Sequence, residues 1–91
     1  MTPEQVQDLI SQRMPGAQVR VSGGEGKFEA TVISDEFSGM ESDNVREKIQ
    51  ARMKAEQRVY GTVSDEIASG AIHALTVRPF TPSQWQQAGQ D

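Results

Sequence analysis

There is no cysteine in these 91 residues and only one histidine. The first absence excludes a disulfide framework and any thiolate metal site that the chain could build alone. The second leaves His73 as the single side chain that both titrates near neutrality and ligates metals readily. Aromatic residues are scarce too, at three Phe, one Trp and one Tyr, so a core must be modest and mainly aliphatic. No apolar run exceeds a few residues, and no membrane span is expected. Met1-Thr2-Pro3-Glu4 carries neither a basic stretch nor an apolar block, so no signal peptide is expected. That suits a cytoplasmic protein, and the mature form of an organellar one would look the same. Basic residues are also few, nine against thirteen acids for a net charge of −4. This argues against the broad basic surface that drives non-specific nucleic-acid binding.

What is present is patterned as one domain over residues 1–91, since a chain of this length has no room for a second core. Thr2-Pro3-Glu4-Gln5 opens a helix, with Thr as cap, Pro in the first helical position and Gln in the third. Val6, Leu9, Ile10 and Met14 then share one face, and Pro15-Gly16 stops it. Residues 17–22 and 28–33 each alternate at period two around Gly23-Gly24-Glu25-Gly26, which predicts a β-hairpin. Gly23 to Gly26 also fits the G-x-x-G of nucleic-acid-binding KH domains. That motif belongs between two helices, however, and Glu25 would repel a phosphate. Asp35-Glu36-Phe37-Ser38-Gly39-Met40 is a polar loop anchored by Phe37 and Met40.

A long helix is predicted next, capped by Ser42 or Asp43, with Val45, Ile49, Met53, Tyr60, Val63 and Ile67 on one stripe. Five of the nine basic residues, Arg46, Lys48, Arg52, Lys54 and Arg58, lie on its flanks and far side. They read either as a solvated helix face or as a contact surface for nucleic acid or an acidic partner. Ser64-Asp65-Glu66 can cap a further turn as far as Gly70. A strand over 72–78 is apolar at alternate and intervening positions alike, which marks it as internal. Thr81-Pro82 opens a last helix, and residues 87–91 form a tail expected to fray. Phe28, Val32, Val59, Leu75 and Trp85 are expected to share one core. A lone histidine beside a strand, such as His73, is more often structural than functional.

Several words in this order resemble the BolA-like family, in particular its acid-stress-associated bacterial branch. They are Val19-Arg20-Val21-Ser22-Gly23 leading to Gly26-Lys27-Phe28, then Val32-Ile33-Ser34-Asp35-Glu36-Phe37-Ser38-Gly39-Met40. Arg58-Val59-Tyr60-Gly61, Ile72-His73-Ala74-Leu75 and Thr81-Pro82-Ser83-Gln84-Trp85 come after them. Family members usually have about ten fewer residues between the F-x-G loop and Val-Tyr, a comparison of word spacing that makes 41–50 an extra segment. Its unbroken apolar stripe predicts that it is helical and continuous with residues 51–60.

The resemblance implies an α+β fold similar to a class II KH domain, in the order α-β-β-α-α-β-α, with helices on one face of a three-stranded sheet. It also implies a partner, a monothiol glutaredoxin, with or without a shared 2Fe–2S cluster. In cluster-bearing forms the histidine of I-H-A-L ligates iron, while the glutaredoxin supplies its cysteine and glutathione. That role carries over to His73 alone. Many members have His or Cys just before the hairpin Phe, where this chain has Lys27, and a protonated lysine is no metal ligand.

The implied function is an adaptor in iron–sulfur trafficking or iron sensing, a monomer or weak homodimer when alone and holding no cofactor in isolation. The alternative is a transcription-linked stress regulator that binds nucleic acid through Arg46, Lys48, Arg52, Lys54 and Arg58. No catalysis is expected, because nothing places a nucleophile, base and acid together.

Overall fold

The computed structural model describes residues 1–88. Helix α1 spans Pro3–Arg13 and opens with a complete capping box, Thr2 and Gln5 each accepting the other's backbone N–H. Its inner face, Val6, Ile10 and the adjoining Met14, is fully buried. Strands β1 (Gln18–Gly24) and β2 (Lys27–Ile33) form the antiparallel hairpin. Only Glu25 and Gly26 lie between the strands, with φ of 56° and 83°. Positive φ at both central residues is the type I′ geometry whose twist matches the flanking strands. A 3-10 helix over Asp35–Glu41 comes next, burying Phe37 and Met40.

Helix α2 covers Val45–Thr62, α3 covers Ser64–Ser69, strand β3 covers Ala74–Phe80, and α4 covers Pro82–Gln87. A second capping box, between Thr81 and Gln84, opens α4. Residues 89–91, part of the tail expected to fray, lie outside the described residues. No helix among the described residues is long and apolar enough to cross a membrane.

The sheet order is β1-β2-β3, with β2–β3 parallel. Strand β3 is therefore an edge strand, not the internal one its composition suggests, and it begins at 74 rather than 72. Its small residues misled, because Ala74 and Thr76 are exposed while Val77 and Pro79 are buried. Pro79 fits an edge, since its missing N–H breaks no ladder bond there.

The core lies between the sheet and helices α1 and α2. It includes Val6, Ile10, Met14, Phe28, Val32, Phe37, Val59, Val63, Ile72 and Val77, with Leu75 packed half-buried against it. Trp85 is not among the core residues. Its ring meets Phe80 edge-on at 5.1 Å, and the Arg20 guanidinium lies 5.4 Å from its centroid. Phe80 and Arg20 share the parity of the strand positions that point away from the core, so the last helix covers that other face.

Helix α2 departs from expectation twice. Glu41 ends the 3-10 helix, residues 42–44 are not helical, and the cap is Asn44, whose side chain accepts from Glu47 N. Ser42 instead accepts from Asn44 N and donates to Glu47, so of residues 41–50 only 45–50 continue into the helix. Of the apolar stripe, only Val63 is buried; the rest is not the buried face. Val45, Ile49 and Met53 are 71%, 55% and 54% exposed, and Tyr60 and Ile67 are exposed as well. Ala55, Val59 and Thr62 are buried in their place. The reason is closeness of approach. A Cβ built on Gly39 would lie 3.0 Å from the Ala51 Cβ, so the helix packs through its small residues.

Candidate functional site around His73

His73 sits between α3 and β3, exposed to solvent. Helix α3 ends at Gly70 in the left-handed conformation, and Ile72 N donates to Glu66 O, pinning the buried Ile72 just before it. The His73 and Ala74 amides then both donate to the Gly26 carbonyl, at 2.7 and 3.0 Å. The imidazole lies against Gly26, in the space a Cβ there would occupy. The hairpin turn is thus the seat of the histidine. Lys27 is the first residue of β2, exposed and in register with Ala74. The two positions that the sequence singled out for metal chemistry therefore lie together at one end of the sheet.

Beside them is an open hollow of about 460 Å³, with His73, Tyr60, Ile67, Ala68 and Leu75 among its walls. Tyr60 Oη donates to Leu75 O at 2.8 Å, which ties α2 to the start of β3. An exposed imidazole next to apolar surface suits a shared interface better than a core position, where a histidine would be buried and hydrogen-bonded. Among the described residues no three His, Cys, Asp or Glu side chains come together as a metal site. The donor set here is one imidazole.

The five basic residues of α2 do not form a single face. At 100° per residue, Arg52 falls on one side of the buried Ala55 and Lys54 and Arg58 on the other, while Lys48 projects onto that face about two turns nearer the N-terminus. Lys48 and Arg52 line a cleft with Pro79 and Phe80, whereas Lys54 and Arg58 line a groove with Glu36 and Phe37. Arg46 borders a hollow with Val45 and Ile49. Arg58 pairs with Glu36 at 3.1 Å and Arg52 with Glu56 at 3.4 Å. The role of Gly26 was not anticipated from sequence. The only signal was its place at the hairpin tip, which explained the glycine fully as a turn residue.

An α+β domain with a three-stranded sheet and a histidine carried at its hairpin end is what fold and site define. Residues 5–84 match the BolA-like protein family, and the chain belongs to it. It is 28% identical over 85 residues to the acid stress protein IbaG of Escherichia coli K12, covering 93% of this chain and 89% of that one. It is 34% identical over 70 residues to the DNA-binding transcriptional regulator BolA of Vibrio cholerae, covering 76% of this chain and 55% of that protein. The structure of a BolA homologue from Coxiella burnetii superposes with a TM-score of 0.71 at 21% identity, covering 94% and 97% of the two chains.

Proposed function

We propose that this protein is an adaptor in iron–sulfur trafficking or iron sensing that pairs with a monothiol glutaredoxin, with His73 as its iron ligand. The observation that carries the reading is an exposed imidazole anchored through its own amide on Gly26 and flanked by an apolar hollow. One imidazole holds no cluster alone, and Lys27, when protonated, adds no ligand. A 2Fe–2S cluster would therefore take its other ligands from the glutaredoxin cysteine and glutathione. Imidazole in place of thiolate raises a cluster's potential and makes its retention depend on pH. In this reading Gly26 sets the imidazole's position, while Tyr60, Ile67 and Leu75 offer apolar contact to the partner.

Absorption and circular dichroism spectra of the co-expressed pair test the proposal. A visible-region signal distinct from that of the glutaredoxin alone, and altered by His73→Ala, is expected. A stable complex whose spectrum ignores that substitution would leave an adaptor that binds without ligating iron. The absence of any complex would overturn the reading.

A second reading, nucleic-acid binding, is favoured by the name of the Vibrio cholerae relative. The division of the basic residues of α2 between two sides, with Arg52 and Arg58 paired to acids, makes it the weaker of the two.

A further inference from the structure

We propose that the N-terminal half of α2 is a docking face for an acidic amphipathic helix of another protein, which lays its apolar side along Val45, Ile49 and Met53. This proposal is independent of the glutaredoxin reading.

Every residue from Asp43 to Gln50 is exposed, so the start of α2 stands clear of the sheet. Its exposed apolar side chains are not scattered. Val45, Ile49 and Met53 recur every four residues, a spacing that builds one ridge along a helix. A lone exposed apolar side chain is ordinary, whereas a contiguous ridge marks a contact surface. Glu56 closes this ridge. It projects onto the same side one turn beyond Arg52 and pairs with it at 3.4 Å. Tyr60, a wall of the hollow at His73, lies about 16 Å along the axis from Ile49 and belongs to a separate surface.

The charges point to the occupant. At 100° per residue, Arg46 borders the ridge on one side, and Arg52 and then Lys48 border it on the other. Glu47, the one acid between Val45 and Ala55, points to the opposite side of the helix. Among the described residues neither Arg46 nor Lys48 enters an ion pair. In a chain of net charge −4, this basic frame is a local field that selects an acidic partner.

The shape of the face suits a helix. Ile49 is a wall of two hollows, one shared with Val45 and Arg46 and the other, of about 300 Å³, with Lys48, Arg52, Pro79 and Phe80. A helix laid beside α2 seats an apolar side chain in each hollow. Carboxylates on its flanks then face Arg46 on one edge and Lys48 with Arg52 on the other. Apolar anchors give such a pairing its affinity, and the flanking charges fix its register. Nucleic acid would use the basic residues and leave the ridge in water. An anionic bilayer would repel the acidic body of the chain, and three apolar side chains bury too little to hold it there.

The probe is a labelled synthetic helix as long as α2, with Leu at heptad positions a and d and Glu at e and g. Its counterpart has Lys at e and g. Fluorescence anisotropy with the full chain should show the Glu-flanked helix binding, more weakly as salt rises, and the Lys-flanked helix not binding. Ile49→Glu and Lys48→Glu, both at exposed positions, should preserve the fold by far-ultraviolet circular dichroism. Each should weaken binding by roughly tenfold or more. Lys54→Glu makes the same change of charge on the far side of the helix, in the groove with Glu36, and should leave binding unchanged. No binding of the Glu-flanked helix at millimolar concentration would overturn the proposal, as would equal binding of the Lys-flanked one. So would an unchanged affinity for Ile49→Glu, or equal losses from Lys48→Glu and Lys54→Glu. Vesicles of phosphatidylcholine and phosphatidylglycerol complete the comparison. Binding to them that Ile49→Glu abolishes would assign the ridge to lipid and overturn the proposal too.

Discussion

His73 and Gly26 form one structural unit, since the amide of His73 donates to the Gly26 carbonyl at 2.7 Å and its imidazole fills the place of the side chain Gly26 lacks. The conformation of a hairpin turn and the position of the chain's only imidazole are thereby coupled. Gly26 meets two demands, a φ of 83° and a vacant Cβ position.

Gly26→Ala should therefore cost about 1–3 kcal/mol, from a side chain forced to positive φ. It should also displace the His73 ring. Chemical denaturation reads the first effect and the His73 ring proton shifts read the second. Gly16→Ala is the control, with a φ of 90° and open space around its Cβ. It should lose stability and leave the His73 shifts in place. Equal His73 shifts in both variants would mean that Gly26 does not seat the histidine.

Burial predicts a sharp contrast between isoleucines. Ile10→Ala, at a fully buried position of α1, should cost about 2–5 kcal/mol. Ile49→Ala, at an exposed position of α2, should change monomer stability by no more than about 0.5 kcal/mol. Leu75→Ala, half-buried, should fall between them at about 1–2 kcal/mol. Urea midpoints at low protein concentration check all three. A large loss at Ile49 would place the stripe of α2 in the core after all.

In the complex with a glutaredoxin, His73→Ala should alter the cluster spectrum without lowering the chain's own thermal midpoint, because the side chain is exposed. Lys27→His puts a second imidazole at the start of β2, in register with Ala74. It should slow loss of the cluster signal. Decay rates of the visible band for the three proteins make the comparison. Identical decay in all three would separate both residues from iron.

Binding to duplex DNA should be weak and fall steeply with salt, because the chain carries a net charge of −4 and the basic residues of α2 occupy two sides of it. Titration of a labelled duplex at low and physiological salt measures this. Tight, sequence-selective binding at physiological salt would favour the regulator reading over the adaptor.

Local chemistry decided much of this protein before any tertiary contact formed. Thr2 with Gln5 and Thr81 with Gln84 cap their helices through bonds spanning three residues. Period-two alternation around the glycines produced the hairpin, and the family words gave the order of elements. What local pattern could not decide was which apolar surface would be covered. The stripe Val45-Ile49-Met53 is regular enough to pass for a core face, yet the small Ala51 and Ala55 are what let α2 approach Gly39 and the sheet. Similarly, Ala74 and Thr76 are small enough to suit either face of a strand, so only sheet order made β3 an edge. The seating of His73 on Gly26 joins residues 47 positions apart in sequence, a distance over which helical or strand periodicity carries no information.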